Sequence, residues 1–179
     1  MEQVNNIKHE LFALRNGVVA DALRKAGAPH RFIMGCTLSD IATLAQACTP
    51  GAPLAQALWD DAQHRECRLL APMLYPPEQF SRATAMQWCR SLLTHEEADV
   101  LCHRLLRHLP YRDALVDDLL GSDEPLTRYC AFRLMLNILL TAPATSCHAC
   151  RWKMSAVGAV ATATPQLRAV LMSIIEEFE

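Results

Sequence analysis

Three side chains spaced four residues apart raise the first question of chemistry. His95, Asp99 and His103 stand at i, i+4 and i+8, which puts them on one face of a helix. Two imidazoles and a carboxylate can hold a metal ion; the same stripe can also be a polar surface opposite an apolar face. Cys147-His148-Ala149-Cys150 is the one close cysteine pair. A zinc site needs four ligands, usually from two such pairs, and a redox pair usually follows a strand. Neither context is present, so the segment reads as a connection between helices, and neither a metal nor a cofactor is expected. Basic residues gather at Arg104, Arg107, His108 and Arg112, then at Arg128 and Arg133, then at Arg151 and Lys153. On a stacked-helix scaffold they can line one concave face and follow phosphates, although composition alone favours ordinary solvated surface. There is no phosphate loop, nucleophile elbow, HExxH or dinucleotide fingerprint.

Helices must position these groups, because no run alternates with period two. The clearest helix spans 95–109: Ala98, Leu101, Cys102, Leu105, Leu106 and Leu109 share one face. Thr94 and Glu97 make a capping-box pattern at its start, and Pro110 marks its end. Helices are also expected from a Ser39 cap to Cys48 and over 53–60, 64–74, 77–92, 111–120, 150–162 and 165–178. Another begins at Asp123 or Glu124 and runs to about Leu140. It is apolar nearly all round, hence central. Trp59 and Trp88 fall within apolar patterns and read as core; Trp152, between Arg151 and Lys153, reads as more exposed. Short-connected helices without strands suggest an all-α bundle or an all-α solenoid of antiparallel pairs, and a pair spacing of roughly 35–45 residues favours the HEAT/armadillo kind of repeat, a HEAT-like α-α superhelix.

The chain has 179 residues, which suits one domain over 1–179. With 51% hydrophobic and 20% charged residues it can bury a sizeable core. A net charge of −2 excludes a uniformly basic surface but leaves room for one basic face. Six of the eight cysteines (Cys36, Cys48, Cys67, Cys89, Cys102, Cys130) stand alone, mostly in apolar helical runs. They read as reduced, buried, small apolar residues of a cytoplasmic protein. The N-terminus lacks the order of a signal peptide, and no apolar run is long enough to span a membrane.

A resemblance then narrows the reading. Leu54-Ala55-Gln56-Ala57-Leu58-Trp59-Asp60, followed by Glu66-Cys67-Arg68-Leu69-Leu70-Ala71, resembles the AlkD-like DNA alkylation repair family of HEAT-like-repeat DNA glycosylases. The similarity continues through Thr94-His95-Glu96-Glu97-Ala98-Asp99 and from Leu119 to Ala131, covering about residues 15–175. It implies binding of DNA and hydrolysis of the N-glycosidic bond of cationic N-alkylated bases. It also implies that Asp99 is the catalytic carboxylate, stabilising the positively charged sugar and orienting water. Arg128 matches the arginine that grips a backbone phosphate. His95 would sit beside the lesion, and Arg104, Arg107, Arg112, Arg151 and Lys153 are further phosphate contacts. The chain departs from the pattern in two places: His95 and Met172 stand where the family has tryptophans. The chain also ends short of the family's usual C-terminal helices. The rival reading is a non-catalytic helical-repeat scaffold for protein or nucleic acid.

Overall fold

A computed structural model describes residues 2–141 and 147–178. They pack as two compact units, Met1–Ser81 and Arg82–Glu179. The described residues form eleven α-helices and no strand. None of these helices is long and apolar enough to cross a membrane.

The first unit contains α1 (Glu2–Ala13), α2 (Gly17–Lys25), α3 (Leu38–Ala47), α4 (Ala52–Asp60) and α5 (Arg65–Leu74). Asn16 caps α2 by accepting from the Val18 and Val19 amides. Thr37, rather than the expected Ser39, caps α3. Its side chain accepts from the Asp40 amide while the Asp40 carboxylate accepts from the Thr37 amide. Trp59 is buried. The Arg68 guanidinium lies 3.8 Å from its ring centroid and donates to its carbonyl at 2.7 Å. The connection before α3 is fixed by a buried charge. The Glu66 carboxylate, wholly enclosed, accepts from the amides of Met34 (3.1 Å) and Gly35 (2.9 Å) and from Arg65 Nη1 (2.8 Å). Gly35 has φ +79. A Cβ there would fall on the Asn16 carbonyl oxygen and 2.7 Å from the Ala20 nitrogen, so only glycine fits.

The second unit contains α6 (Arg82–Arg90), α7 (His95–Arg104), α8 (Arg112–Leu120), α9 (Pro125–Leu139), α10 (Cys147–Ala159) and α11 (Pro165–Glu176). Eleven of the fifteen residues of α9 are buried, and α6, α7, α8 and α11 pack on it. Its all-round apolar sequence thus does mark the centre. Two helices are shorter than periodicity suggests. Leu105 (φ −127, ψ −60) breaks the helical path after α7, and a single 3-10 turn over Leu106–His108 follows. The break leaves Leu105, Leu106 and Leu109 all buried. Pro77–Gln79 is a separate 3-10 turn, and α6 starts only at Arg82.

At the other end, α10 begins at Cys147, so the Cys147–Cys150 segment is its first turn rather than a connection. The Cys147 side chain lies outside the described residues. Trp152 is buried, against expectation. Its neighbours Arg151 and Lys153 leave the helix 100° to either side, and its indole N–H donates to Asp117 Oδ1 at 3.3 Å.

Of the six isolated cysteines, all but the half-buried Cys48 are enclosed. Cys130 Sγ lies 3.4 Å from Cys102 Sγ and 3.7 Å from Cys89 Sγ. The hydrogen bond to Cys130 and burial raise the Cys89 thiol; burial and its own bond to Cys130 raise Cys102. The two bonds that Cys130 accepts lower it relative to both, against its burial.

Candidate nucleic-acid interface

Thr94 starts α7 by accepting from the Glu97 amide at 3.1 Å. The Glu97 carboxylate reaches back past the cap to the Leu93 amide at 2.9 Å. This anchored first turn fixes His95 and Asp99, one turn apart. On α9, Tyr129 and Arg133 have the same i, i+4 spacing, so two pairs of side chains meet where the helices pack. The Tyr129 hydroxyl donates to Asp99 Oδ1 at 2.8 Å, and its ring meets His95 edge-on with centroids 4.5 Å apart. Arg133 Nε lies 3.0 Å from the same oxygen, an ion pair whose N–H is not aligned for a hydrogen bond. Burial, followed by the bond to Asp99, raises the Tyr129 hydroxyl far above its ordinary range, so it remains a donor. The Asp99 side chain stays 38% exposed, open enough to meet solvent or a ligand.

The stripe of His95, Asp99 and His103 is therefore divided between functions. Among the described residues, no three His, Cys, Asp or Glu side chains are grouped as metal ligands. His95 packs on Tyr129, Asp99 pairs with Arg133, and His103 belongs to the basic end of α7. There His103 and Arg104 are exposed, and Arg107 and His108 follow in the 3-10 turn. Arg107 Nε donates to His108 Nε2 at 3.1 Å. Arg112 Nη1 donates to the Arg107 carbonyl at 2.8 Å, tying α8 to the same cluster. Partial burial lowers the His103 pKa below its usual value, helped by Arg107, Arg104, Arg133 and His108. His108 is lowered by burial, then by Arg107 and Arg112. Cations thus dominate the surroundings of both imidazoles, which marks the end of α7 as a site of positive potential.

The remaining expected contacts are placed differently. Arg128 is exposed in the first turn of α9. It points about 100° away from Tyr129 around the helix, and the arginine paired with Asp99 is Arg133. Arg151 on α10 is engaged by Asp117 and lies 3.0 Å from His148 Nδ1. Lys153 Nζ sits 5.7 Å from the Phe178 ring centroid. Met172 is 45% exposed on α11. The sequence reading missed Tyr129 as a partner of Asp99. The signal was there in the matching four-residue spacing of His95/Asp99 and Tyr129/Arg133.

The sequence model of the DNA alkylation repair enzyme family matches residues 7–147. The chain belongs to that family. No curated protein sequence matches it. One solved structure, from a group described as a new family related to the HEAT-like repeat DNA glycosylases with affinity for branched DNA structures, superposes with a TM-score of 0.83. It shares 13% identity and covers 97% of this chain and 74% of its own. That likeness establishes the all-α HEAT-like-repeat fold.

Proposed function

We propose that this member of the DNA alkylation repair family binds DNA through the basic end of α7. The observation that carries the reading is the group of cations around His103 and His108: Arg104, Arg107, Arg112 and Arg133. Guanidinium groups grip phosphate oxygens through paired N–H donors, and neutralising phosphates releases counterions, which drives association at low salt. Arg104 and Arg128 are exposed and reach phosphate directly. Arg107 and Arg112 are partly buried and held in place: Arg107 donates to His108, and Arg112 donates to the Arg107 carbonyl with Asp113 3.6 Å from its Nε. Arg151 must leave Asp117 to contribute, and Lys153 must leave Phe178, so both are secondary contacts. The experiment is DNA binding against ionic strength. No binding even at low salt defeats the proposal.

A second reading is favoured by the half-exposed Asp99 carboxylate. It would stabilise the cationic sugar left when an alkylated base departs and orient the water that attacks it. Arg128 would hold the adjoining phosphate and His95 would lie beside the base. Arg133 offsets the charge of Asp99 in the unbound protein, so the cationic sugar competes with a guanidinium. The assay is base release from methylated DNA by the wild type and by Asp99→Asn. Release lost in the variant supports hydrolysis; equal background in both leaves a DNA-binding protein without it.

A further inference from the structure

The first unit carries a groove of about 720 Å³ that the basic end of α7 does not involve. We propose that this groove binds an unpaired base of a DNA strand, an inference that rests on the DNA-binding reading above. Phe12, Arg15, Arg24, Phe32 and His64 line it, with no carboxylate among the lining residues. Phe12 is 54% exposed and Phe32 is 41% exposed. Two half-open aromatic rings on one concave surface offer flat apolar faces to a ligand.

Phe32 is held rigidly in that position. Its amide donates to the Gln63 carbonyl at 2.9 Å, and its carbonyl accepts from the Arg65 amide at 3.1 Å. Its ring stacks on His64 with centroids 4.6 Å apart and planes 22° from parallel. The buried Glu66 fixes the amides two and three residues on, those of Met34 and Gly35. The ring is therefore preorganised, and little freedom is lost when a ligand stacks on it.

Charge selects the occupant. Arg15 lies 4.3 Å from the centroid of the Phe12 ring, and Arg31 5.2 Å from that of Phe32. An exposed cation over a ring is held more weakly than a nucleobase stacked on it. A base can thus displace each guanidinium and leave it to meet the flanking phosphate. Arg24 is braced toward the groove by its bond to the Ile33 carbonyl at 3.0 Å and by the exposed Asp21, also at 3.0 Å. Rigid rings edged by arginines suit a nucleotide better than an apolar helix. In a duplex the ring faces of the bases are already stacked, so the ligand is a base at a gap, flap or branch point.

The test uses the full chain and three fluorescent DNAs of equal length: fully paired, gapped, and carrying a single-stranded flap. 2-Aminopurine replaces an unpaired base in the last two. Tighter binding of gapped and flapped DNA is expected, together with quenching of 2-aminopurine as it stacks. Phe32→Ala should abolish the quenching and weaken binding to these two DNAs by about tenfold, with paired DNA unaffected. Phe32→Trp should restore both signals, which a merely structural role would not require. Arg15→Glu with Arg24→Glu should weaken the same two complexes. Equal affinity for all three DNAs, or unchanged quenching in Phe32→Ala, overturns this inference and leaves DNA binding intact. Failure to bind any DNA overturns both. Concentration-dependent self-association lost in Phe32→Ala, without an effect on DNA, reassigns the groove to a second copy of the chain.

Discussion

Replacing Glu66 by glutamine tests the buried charge that organises the first unit. In the native protein one carboxylate oxygen accepts from Met34 and the other from both Gly35 and Arg65. Glutamine keeps a single acceptor oxygen. Its amide group must then face either the Met34 N–H, orphaning a buried donor, or Gly35 and Arg65. Arg65 also loses its charge partner at 6% side-chain exposure. Breaking a buried ion pair by removing one partner costs about 3–5 kcal/mol. For a protein of 179 residues that lowers the melting midpoint by roughly 6–20 °C. The assay is urea and thermal unfolding followed by circular dichroism, with Arg65→Met and the double variant completing a cycle. Because the residues are in contact, the double variant should lose less than the sum of the singles by about 1–3 kcal/mol. A loss below about 1 kcal/mol in Glu66→Gln, or strict additivity, would refute the argument.

Gly35→Ala should destabilise by about 3 kcal/mol or more, because its Cβ meets backbone atoms of α2 that cannot move aside; wild-type stability in urea melts would contradict this. DNA affinity should rise as pH falls below the ordinary histidine value of 6.5. His103 and His108 are held low in the free protein by burial and cations. A docked phosphate raises them again, so binding takes up protons. The same lowered values mean that folded-state stability declines as pH falls through that window, since the unfolded chain binds the proton more readily. Titration of affinity from pH 7.5 to pH 5.5, with His103→Ala flattening the curve, checks the first sign, and urea melts over the same range check the second. If Arg104, Arg107, Arg112 and Arg128 each neutralise one phosphate, log affinity should fall with log salt at a slope of about −3 to −4 on duplex DNA. Arg104→Ala should reduce that slope by about one.

Much of this fold was legible because its determinants are local. Apolar spacing at 3.6 residues marks α7, and an all-round apolar sequence marks α9 as central. Helix ends were harder to read. Leu105 breaks α7 because three leucines have to reach the core together, a tertiary demand that overrides continuous periodicity. Trp152 looked exposed beside two cations, yet neighbouring side chains diverge around a helix, and only packing shows which one turns inward. The Asp99 site was half readable. Its carboxylate and His95 share one helix, but Tyr129 and Arg133 join them through the register of α9 against α7. The groove of the first unit was invisible, since Phe12, Arg24, Phe32 and His64 come from four separate stretches of chain.

The three clustered thiols beneath the Asp99 site also give the second unit a built-in clock. Cys89, Cys102 and Cys130 come from α6, α7 and α9, and all are closed to solvent. A thiol-alkylating reagent can reach them only when those helices part. Cys150 is exposed and should be labelled at once, serving as an internal reference. The delay before the buried thiols are labelled then measures the free energy of opening the layer that holds Asp99. Comparing that delay with and without DNA would show whether binding at the end of α7 clamps the layer shut, resolving to one layer a stabilisation that an unfolding curve reports only for the whole chain.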